Sequence, residues 1–195
     1  MENEMKLFST LFKIFKARKL EKQLTDSLCQ YKANEEKYVT MSLDALKRLN
    51  DEELFDATFA RLERKASRFD ELSDALDTFN DAQKTFYSLY LLELEVNNGG
   101  LCQYFVNSSR ATAPYVSDAM ATVGAHEHKA LFDGFIARNN IDLTDLSSFK
   151  IDDVEEFEER MERYPFDEYD DAFYDFEPLQ VYLEKFARAK TEELY

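Results

Sequence analysis

Apolar residues along this chain recur at intervals of three and four positions, which is the spacing of one face of an α-helix. Glycine and proline are scarce, and no segment shows the alternation of a β-strand or an internal repeat. The pattern therefore predicts an all-α protein. The best-defined helices of this pattern cover residues 5–24, 43–49, 51–69 and 80–96.

Two of these helices carry a start signal and a clear inner face. Asn50 or Asp51 is placed to cap the third helix, and Asn80 is placed to cap the fourth. The spacing of apolar positions predicts an inner face for the third helix at Leu54, Phe55, Thr58, Phe59 and Leu62. For the fourth helix it predicts Phe86, Leu89, Tyr90 and Leu94.

The stretch EVNNGGLCQYFVNSS, residues 95–109, breaks this helical pattern. It holds two of the four glycines in the chain, side by side. Because Gly and Asn adopt positive φ at little cost, we expect the helix to end near Val96 and to reverse tightly into a short helix that begins at Leu101. Pro114 would open the next helix. We expect the side chains of Asn98, Gln103 and Asn107 to satisfy backbone groups across this turn.

Charge is the strongest compositional signal. The 195 residues include 40 acidic and 24 basic ones, for a net charge of −16. A surface of this sign repels nucleic acid and attracts basic partners, although solubility alone could also account for it. The basic residues are concentrated at the start of the chain. We therefore predict a basic amphipathic N-terminal helical arm over residues 1–37 and a single compact, acidic, multi-helix domain over residues 38–195.

Candidate catalytic and metal-binding residues are few. His126 and His128 are two positions apart, so on a helix they point in different directions and cannot share a metal ion. We expect them at a solvent-facing helix start. Glu93 and Glu95 have the same spacing and cannot form a facing acid–base pair. There is no glycine-rich phosphate loop and no nucleophile elbow, so we predict no enzymatic activity, no metal and no cofactor.

The two cysteines, Cys29 and Cys102, are too far apart in sequence to suggest a metal cluster, and we expect reduced, buried thiols. No apolar run reaches the roughly 18 residues that would span a bilayer. The first residues lack the features of a signal peptide. These observations predict a cytoplasmic protein.

A core signature within residues 95–109 resembles that of a bacterial family of small acidic helical proteins, whose best understood members are DNA mimics. The signature residues are Glu95, Asn98, Gly99, Gly100, Gln103, Tyr104, Phe105, Asn107 and Ser108, followed at a fitting distance by Gly124 and Ala125. The acidic and aromatic tail over residues 166–186 is also similar, and the resemblance covers about residues 38–190. Arg110, where a small residue is expected, and the basic arm depart from the family pattern.

The resemblance implies an all-α protein that occupies the DNA-binding face of a basic partner, often a transcription regulator. The candidate partner-binding residues are Asp152, Asp153, Glu155, Glu156, Glu159, Glu162, Asp167, Glu168, Asp170, Asp171 and Asp175. Thirteen acidic and two basic residues lie between positions 152 and 177. If the segment were helical, these acids would give about one negative charge per 3 Å of helix axis, which matches the phosphates of one DNA strand but not of two. A mimic of duplex DNA would need a second acidic surface, for instance from a homodimer. Pro165 and Pro178 also interrupt the segment, so its charges cannot lie on one straight helix.

The N-terminal arm suggests an alternative function. Residues 5–16 are amphipathic with lysines on the polar side, as in helices that lie on membranes. The stretch is short, so we expect it to pack against the body or a second subunit rather than on a membrane. The alternative is thus an oligomeric or membrane-surface-associated helical scaffold whose acidity only confers solubility.

Overall fold

The computed structural model describes residues 36–151 and 153–195. The predicted helix at 5–24, most of the predicted arm, Cys29 and Asp152 lie outside the described residues. Residues 36–41 belong to a unit that ends at Met41 and contain a helical stretch at 36–40 (α1). Ser42–Tyr195 form a second unit. No β-strand occurs in the described residues, and the all-α prediction is confirmed.

The second unit is built from ten α-helices and two short 3-10 helices within the described residues. The 3-10 helices are Ser108–Thr112 and Ser147–Phe149. The α-helices are α2 (Leu43–Leu46), α3 (Asp51–Ala66), α4 (Leu72–Asp77), α5 (Asp81–Val106), α6 (Ala113–Val123), α7 (His126–Asn139), α8 (Val154–Arg163), α9 (Phe166–Tyr174), α10 (Leu179–Ala189) and α11 (Thr191–Leu194).

The two predicted caps are confirmed, and both are capping boxes. The side chain of Asn50 accepts the backbone N–H of Glu53 at 2.8 Å, and the carboxylate of Glu53 accepts the N–H of Asn50 at 3.5 Å. Asn80 and Gln83 exchange the same pair of hydrogen bonds at 2.9 and 3.3 Å. Each box satisfies two of the backbone donors that a helix start leaves free.

The long helix α5 is the centre of the fold, and α3, α6, α9 and α10 pack around it. The predicted inner face of α3 is buried at Leu54, Phe55, Thr58 and Leu62. Phe59 is half-buried and stacks on Tyr90, with ring centroids 3.7 Å apart.

One predicted inner position of α5 is wrong, because the side chain of Leu94 is 48% exposed. Leu94 lies two positions from both Leu92 and Val96, which are fully buried. On a helix that spacing places its side chain on the opposite side from theirs. None of the described helices is both long enough and apolar enough to cross a membrane.

Candidate functional site

The glycine pair makes a kink inside α5. The helix runs from Asp81 to Val106, but Gly99 (φ −163°, ψ 25°) and Gly100 (φ 79°, ψ 176°) leave helical geometry. The expected positive φ is therefore present at Gly100. The predicted break at the glycine pair and the predicted restart at Leu101 are confirmed, since two helical segments meet across the kink and the second ends at Val106. The helix can resume because backbone groups freed by the kink find partners on a neighbouring helix.

Helix α9 supplies those partners from two side chains one turn apart. The carboxylate of Asp170 accepts the backbone N–H of Leu101 at 2.8 Å. The hydroxyl of Tyr174 donates to the backbone carbonyl of Val96 at 2.6 Å. The two contacts satisfy a donor after the kink and an acceptor before it, as caps do at ordinary helix ends. Asp170 is half-buried, and this burial raises its pKa, while the Leu101 N–H partly offsets the effect.

The carboxylate of Glu95 gathers three polar side chains around the kink. It accepts the side-chain amide of Gln103 at 2.6 Å, the side-chain amide of Asn107 at 2.9 Å and the hydroxyl of Ser109 at 2.6 Å. The expectation that Gln103 and Asn107 satisfy backbone groups is thus wrong. Both side-chain amides bond to the carboxylate of Glu95 instead.

The remaining motif residues divide between core and surface. Tyr104 is fully buried, its hydroxyl lies 2.7 Å from the hydroxyl of Thr112, and burial raises its pKa. Asn98 is exposed beside the kink.

An open groove of about 550 Å³ lies next to the kink, between α5 and the start of α8. We call it the kink groove. Its polar lining residues are Asn98, Gln103, Asn107 and Asp153. Its apolar lining residues are Val106, Ile151 and Phe157. Three signature residues predicted from sequence therefore meet at one surface, together with residues from a segment about 50 positions later.

The candidate acidic residues lie on α8, on α9 and at the ends of these two helices. Aromatic side chains on the inner side of α9, Phe166, Tyr169 and Phe173, are buried, so the exposed carboxylates of that helix face solvent. Glu156 is half-buried, and Asp170 serves the kink as described above. The exposed residues of the predicted set are Asp153, Glu155, Glu159, Glu162, Asp167, Glu168, Asp171 and Asp175.

Some of these exposed acids also have structural contacts. Asp153 caps α8, since its side chain accepts the N–H of Glu156 at 3.0 Å. Glu168 lies 3.4 Å from the guanidinium of Arg138, an exposed ion pair that contributes little to stability. The other exposed acids of α9 form a more open charged surface.

Residues 77–190 match the family model described as DMP19-like protein, which spans more than half of the chain. The chain belongs to the DMP19-like protein family. This is a family of non-enzymatic DNA mimics, so the resemblance drawn from sequence is confirmed at the level of the family. The matched residues include the kink, the kink groove and both acidic helices. No curated protein and no solved structure matches the chain.

Within this DMP19-like fold, His128 departs from expectation. His126 is exposed, but His128 is 1% exposed, so its predicted solvent-facing position is wrong. Its ring meets Phe173, Phe176 and Tyr182 edge-on, with centroids 5.1 to 6.1 Å away. Neither ring nitrogen has a hydrogen-bond partner among the described residues. Burial lowers the pKa of His128 to about 4. The aromatic residues that cover it lie 45 or more positions later in the chain.

Glu93 is a second buried titratable group of the DMP19-like domain. It is 8% exposed and accepts the backbone N–H groups of Leu179 and Gln180, the first residues of α10. Burial raises its pKa to about 7, and these two hydrogen bonds partly oppose the shift. It contacts α10, whereas Glu95 contacts residues of the kink.

Cys102 is a free and fully buried thiol, in agreement with expectation, and burial raises its pKa to about 12. In the described part of the chain, no three His, Cys, Asp or Glu side chains are grouped so that they could hold a metal ion.

Proposed function

We propose that this protein is a DNA mimic that acts without catalysis, by binding the DNA-binding face of a basic protein such as a transcription regulator. The observation that carries the proposal is the density of carboxylates along α8. Membership in a family of DNA mimics supports it.

Helix α8 carries five carboxylates in ten residues, at Glu155, Glu156, Glu158, Glu159 and Glu162. At 1.5 Å per residue the helix is about 15 Å long, which gives about one charge per 3 Å. One strand of B-DNA carries a phosphate about every 3.4 Å. The spacing of negative charge along α8 is therefore close to that of a phosphate backbone.

The two arginines of α8 neutralise this row only in part. Arg160 has a side chain only 19% exposed, and its Nε donates to the backbone carbonyl of Ser148 at 2.8 Å. Arg163 lies against the ring of Tyr164, with 5.4 Å between guanidinium carbon and ring centroid. One guanidinium nitrogen of Arg160 also lies 3.9 Å from the carboxylate of Glu159, so that acid is partly compensated. The five carboxylates of α8 still exceed its two arginines by three charges.

The row also opposes helix stability. Carboxylates three or four positions apart destabilise a helix by a few tenths of a kcal/mol per pair, and α8 contains several such pairs. A helix with a solubilising role only would be more stable with lysines interspersed. A mimic of duplex DNA needs a second row of negative charges. That row would come from the exposed acids of α9 or from a second copy of the protein related by a twofold axis.

The proposal is tested by charge reversal on one stripe of α8. Glu155, Glu159 and Glu162 are changed together to Lys. The matched control changes the exposed Asp74, Asp118 and Glu127, which lie on other helices, to Lys. Each purified full-length protein is immobilised, exposed to an extract of its own source cells, and eluted with rising salt. Melting temperatures establish that all three proteins are folded.

We expect a DNA-binding protein to be retained by the wild type and the control and to be lost from the α8 variant. It should elute at moderate salt, because exposed charge contacts are screened over about 10 Å at 0.1 M. Equal retention on all three proteins would contradict the proposal, as would retained proteins that do not bind DNA.

A further inference from the structure

The kink groove presents oriented oxygen acceptors. The side-chain nitrogens of Gln103 and Asn107 both donate to the same oxygen of Glu95, at 2.6 and 2.9 Å. With the nitrogens engaged, the carbonyl oxygen is the group that each amide has left to accept a hydrogen bond, and that of Gln103 lies against Gly99. Across the described residues, neither of these two oxygens accepts a hydrogen bond. Glu95 thus fixes the orientation of two amides that line the groove.

The rest of the lining adds charge and apolar surface. Asp153 contributes a carboxylate at one end, and the lining contains no basic side chain. Val106, Ile151 and Phe157 are each half-buried and give the groove an apolar part. An occupant would need a cationic head with several hydrogen-bond donors, carried on an apolar stem.

Among protein side chains, arginine fits this description best. Its planar guanidinium offers five N–H donors in a fixed arrangement and stacks on aromatic rings, whereas the lysine ammonium is a compact, strongly hydrated charge. Its three-carbon stem can lie along apolar surface while the head reaches polar groups.

We infer that the kink groove receives an arginine side chain of the basic partner. The guanidinium binds the amide oxygens of Gln103 and Asn107 and the carboxylate of Asp153, and the stem packs on Val106 and Phe157. The assignment rests on the proposed function and deepens it. In DNA, arginine reads guanine through two neutral acceptors on the base edge, O6 and N7. The amide oxygens take the place of such base acceptors, while the carboxylates of α8 take the place of phosphates.

The test uses the full-length protein with two labelled peptides, hexa-arginine and hexa-lysine, and fluorescence anisotropy at about 0.15 M salt. A general acidic surface attracts both peptides through the same charge, and guanidinium can form paired hydrogen bonds with any exposed carboxylate, so the groove is assigned by the variants described below. If the groove binds arginine, we expect hexa-arginine to bind about tenfold more tightly than hexa-lysine, the effect of one or two additional charge-assisted hydrogen bonds.

Two matched variants distinguish binding in the kink groove from attraction by the acidic surface as a whole. Asp153→Asn and Glu155→Gln each remove one negative charge from the start of α8, and asparagine retains the capping of the helix. Only Asp153 lines the groove. We expect Asp153→Asn to reduce the preference for hexa-arginine severalfold. We expect Glu155→Gln to weaken the binding of both peptides slightly and equally. Val106→Phe, which fills the groove without a change in charge, should abolish the preference and leave hexa-lysine binding intact.

The possible outcomes test the assignment of arginine to the kink groove separately from the proposed function. Equal affinity for both peptides, with equal effects of Asp153→Asn and Glu155→Gln, would overturn the assignment of arginine to the groove and leave the acidic surface as proposed. If neither peptide binds, both the groove assignment and the proposed function are contradicted.

Discussion

Replacing Gly100 by Ala tests the kink most sharply. At φ 79° and ψ 176°, Gly100 occupies a backbone region that residues with a side chain avoid. A Cβ atom built at this position would also lie 2.2 Å from a carboxylate oxygen of Asp170. The substitution therefore strains the backbone and pushes away the side chain that caps Leu101.

The expected loss follows from these two effects. Holding alanine in such a region costs about 1–3 kcal/mol. Losing a hydrogen bond to a charged group costs about 1.5–3 kcal/mol, at the lower end here because Asp170 is only half-buried. We expect Gly100→Ala to lower the free energy of unfolding by about 3 kcal/mol.

Two other glycines provide matched controls. Gly124 has φ +84°, but a Cβ there would meet no atom within 4 Å, so its substitution by Ala should cost backbone strain alone, about 1 kcal/mol. Gly134 is exposed in the interior of α7 with an ordinary φ and open space around it. Ala at that position should stabilise the protein by about 0.5–1 kcal/mol.

The assay is urea unfolding followed by circular dichroism, with Asp170→Ala added to complete a double-mutant cycle. Because Gly100→Ala already displaces Asp170, the double variant should lose less than the sum of the single losses. The assignment of the kink is refuted if Gly100→Ala is no less stable than Gly124→Ala, or if the two single losses add.

Three further predictions concern buried groups. Burial raises the pKa of Glu93 from 4.5 to about 7, so the folded state holds a proton that the unfolded chain loses between these values. Stability should fall by about 3 kcal/mol as pH rises through that range, and urea titrations of Glu93→Gln should lack this fall. For His128 the pKa is lowered from 6.5 to about 4, so its contribution to stability should be lost as pH falls through that range. Titrations of His128→Leu should be correspondingly less sensitive to acid, and an unchanged acid response would show that His128 is not buried as described. Cys102, in a Cys29→Ser background, should resist a thiol reagent until urea unfolds the protein, since its pKa is raised to about 12, whereas reaction in the native state would contradict its burial.

Local features of this fold could be predicted from sequence because they depend on residues close together in the chain. The capping boxes at Asn50 and Asn80 each involve residues three positions apart. The positive φ at Gly100 follows from the residue type. Such signals identify helix starts and breaks without reference to the rest of the molecule.

The kink could not be predicted in full, because the groups that make it possible come from elsewhere. The way in which the two segments of α5 join at the kink depends on Asp170, 69 positions away from Leu101, and on Tyr174, 78 positions away from Val96. From sequence, Asp170 is one acidic residue among many. The structure distinguishes it from its neighbours by burial and by a backbone donor.

The burial of His128 was missed for the same reason. Its spacing from His126 correctly predicts that the two rings point apart, but it does not say which of them faces the core. Phe173 and Tyr182 determine that, and they belong to α9 and α10. The aromatic-rich segment late in the chain was the available signal for this burial.

The central claim, that the protein replaces DNA on a partner, is tested most directly by competition. A partner identified by the α8 variants would be bound to its own labelled duplex and titrated with the full-length protein, while anisotropy follows release of the DNA. We expect the duplex to be displaced completely, with the midpoint shifting to higher protein concentration as salt is raised, and no displacement by the α8 triple variant. A stable ternary complex of partner, DNA and this protein would contradict DNA mimicry.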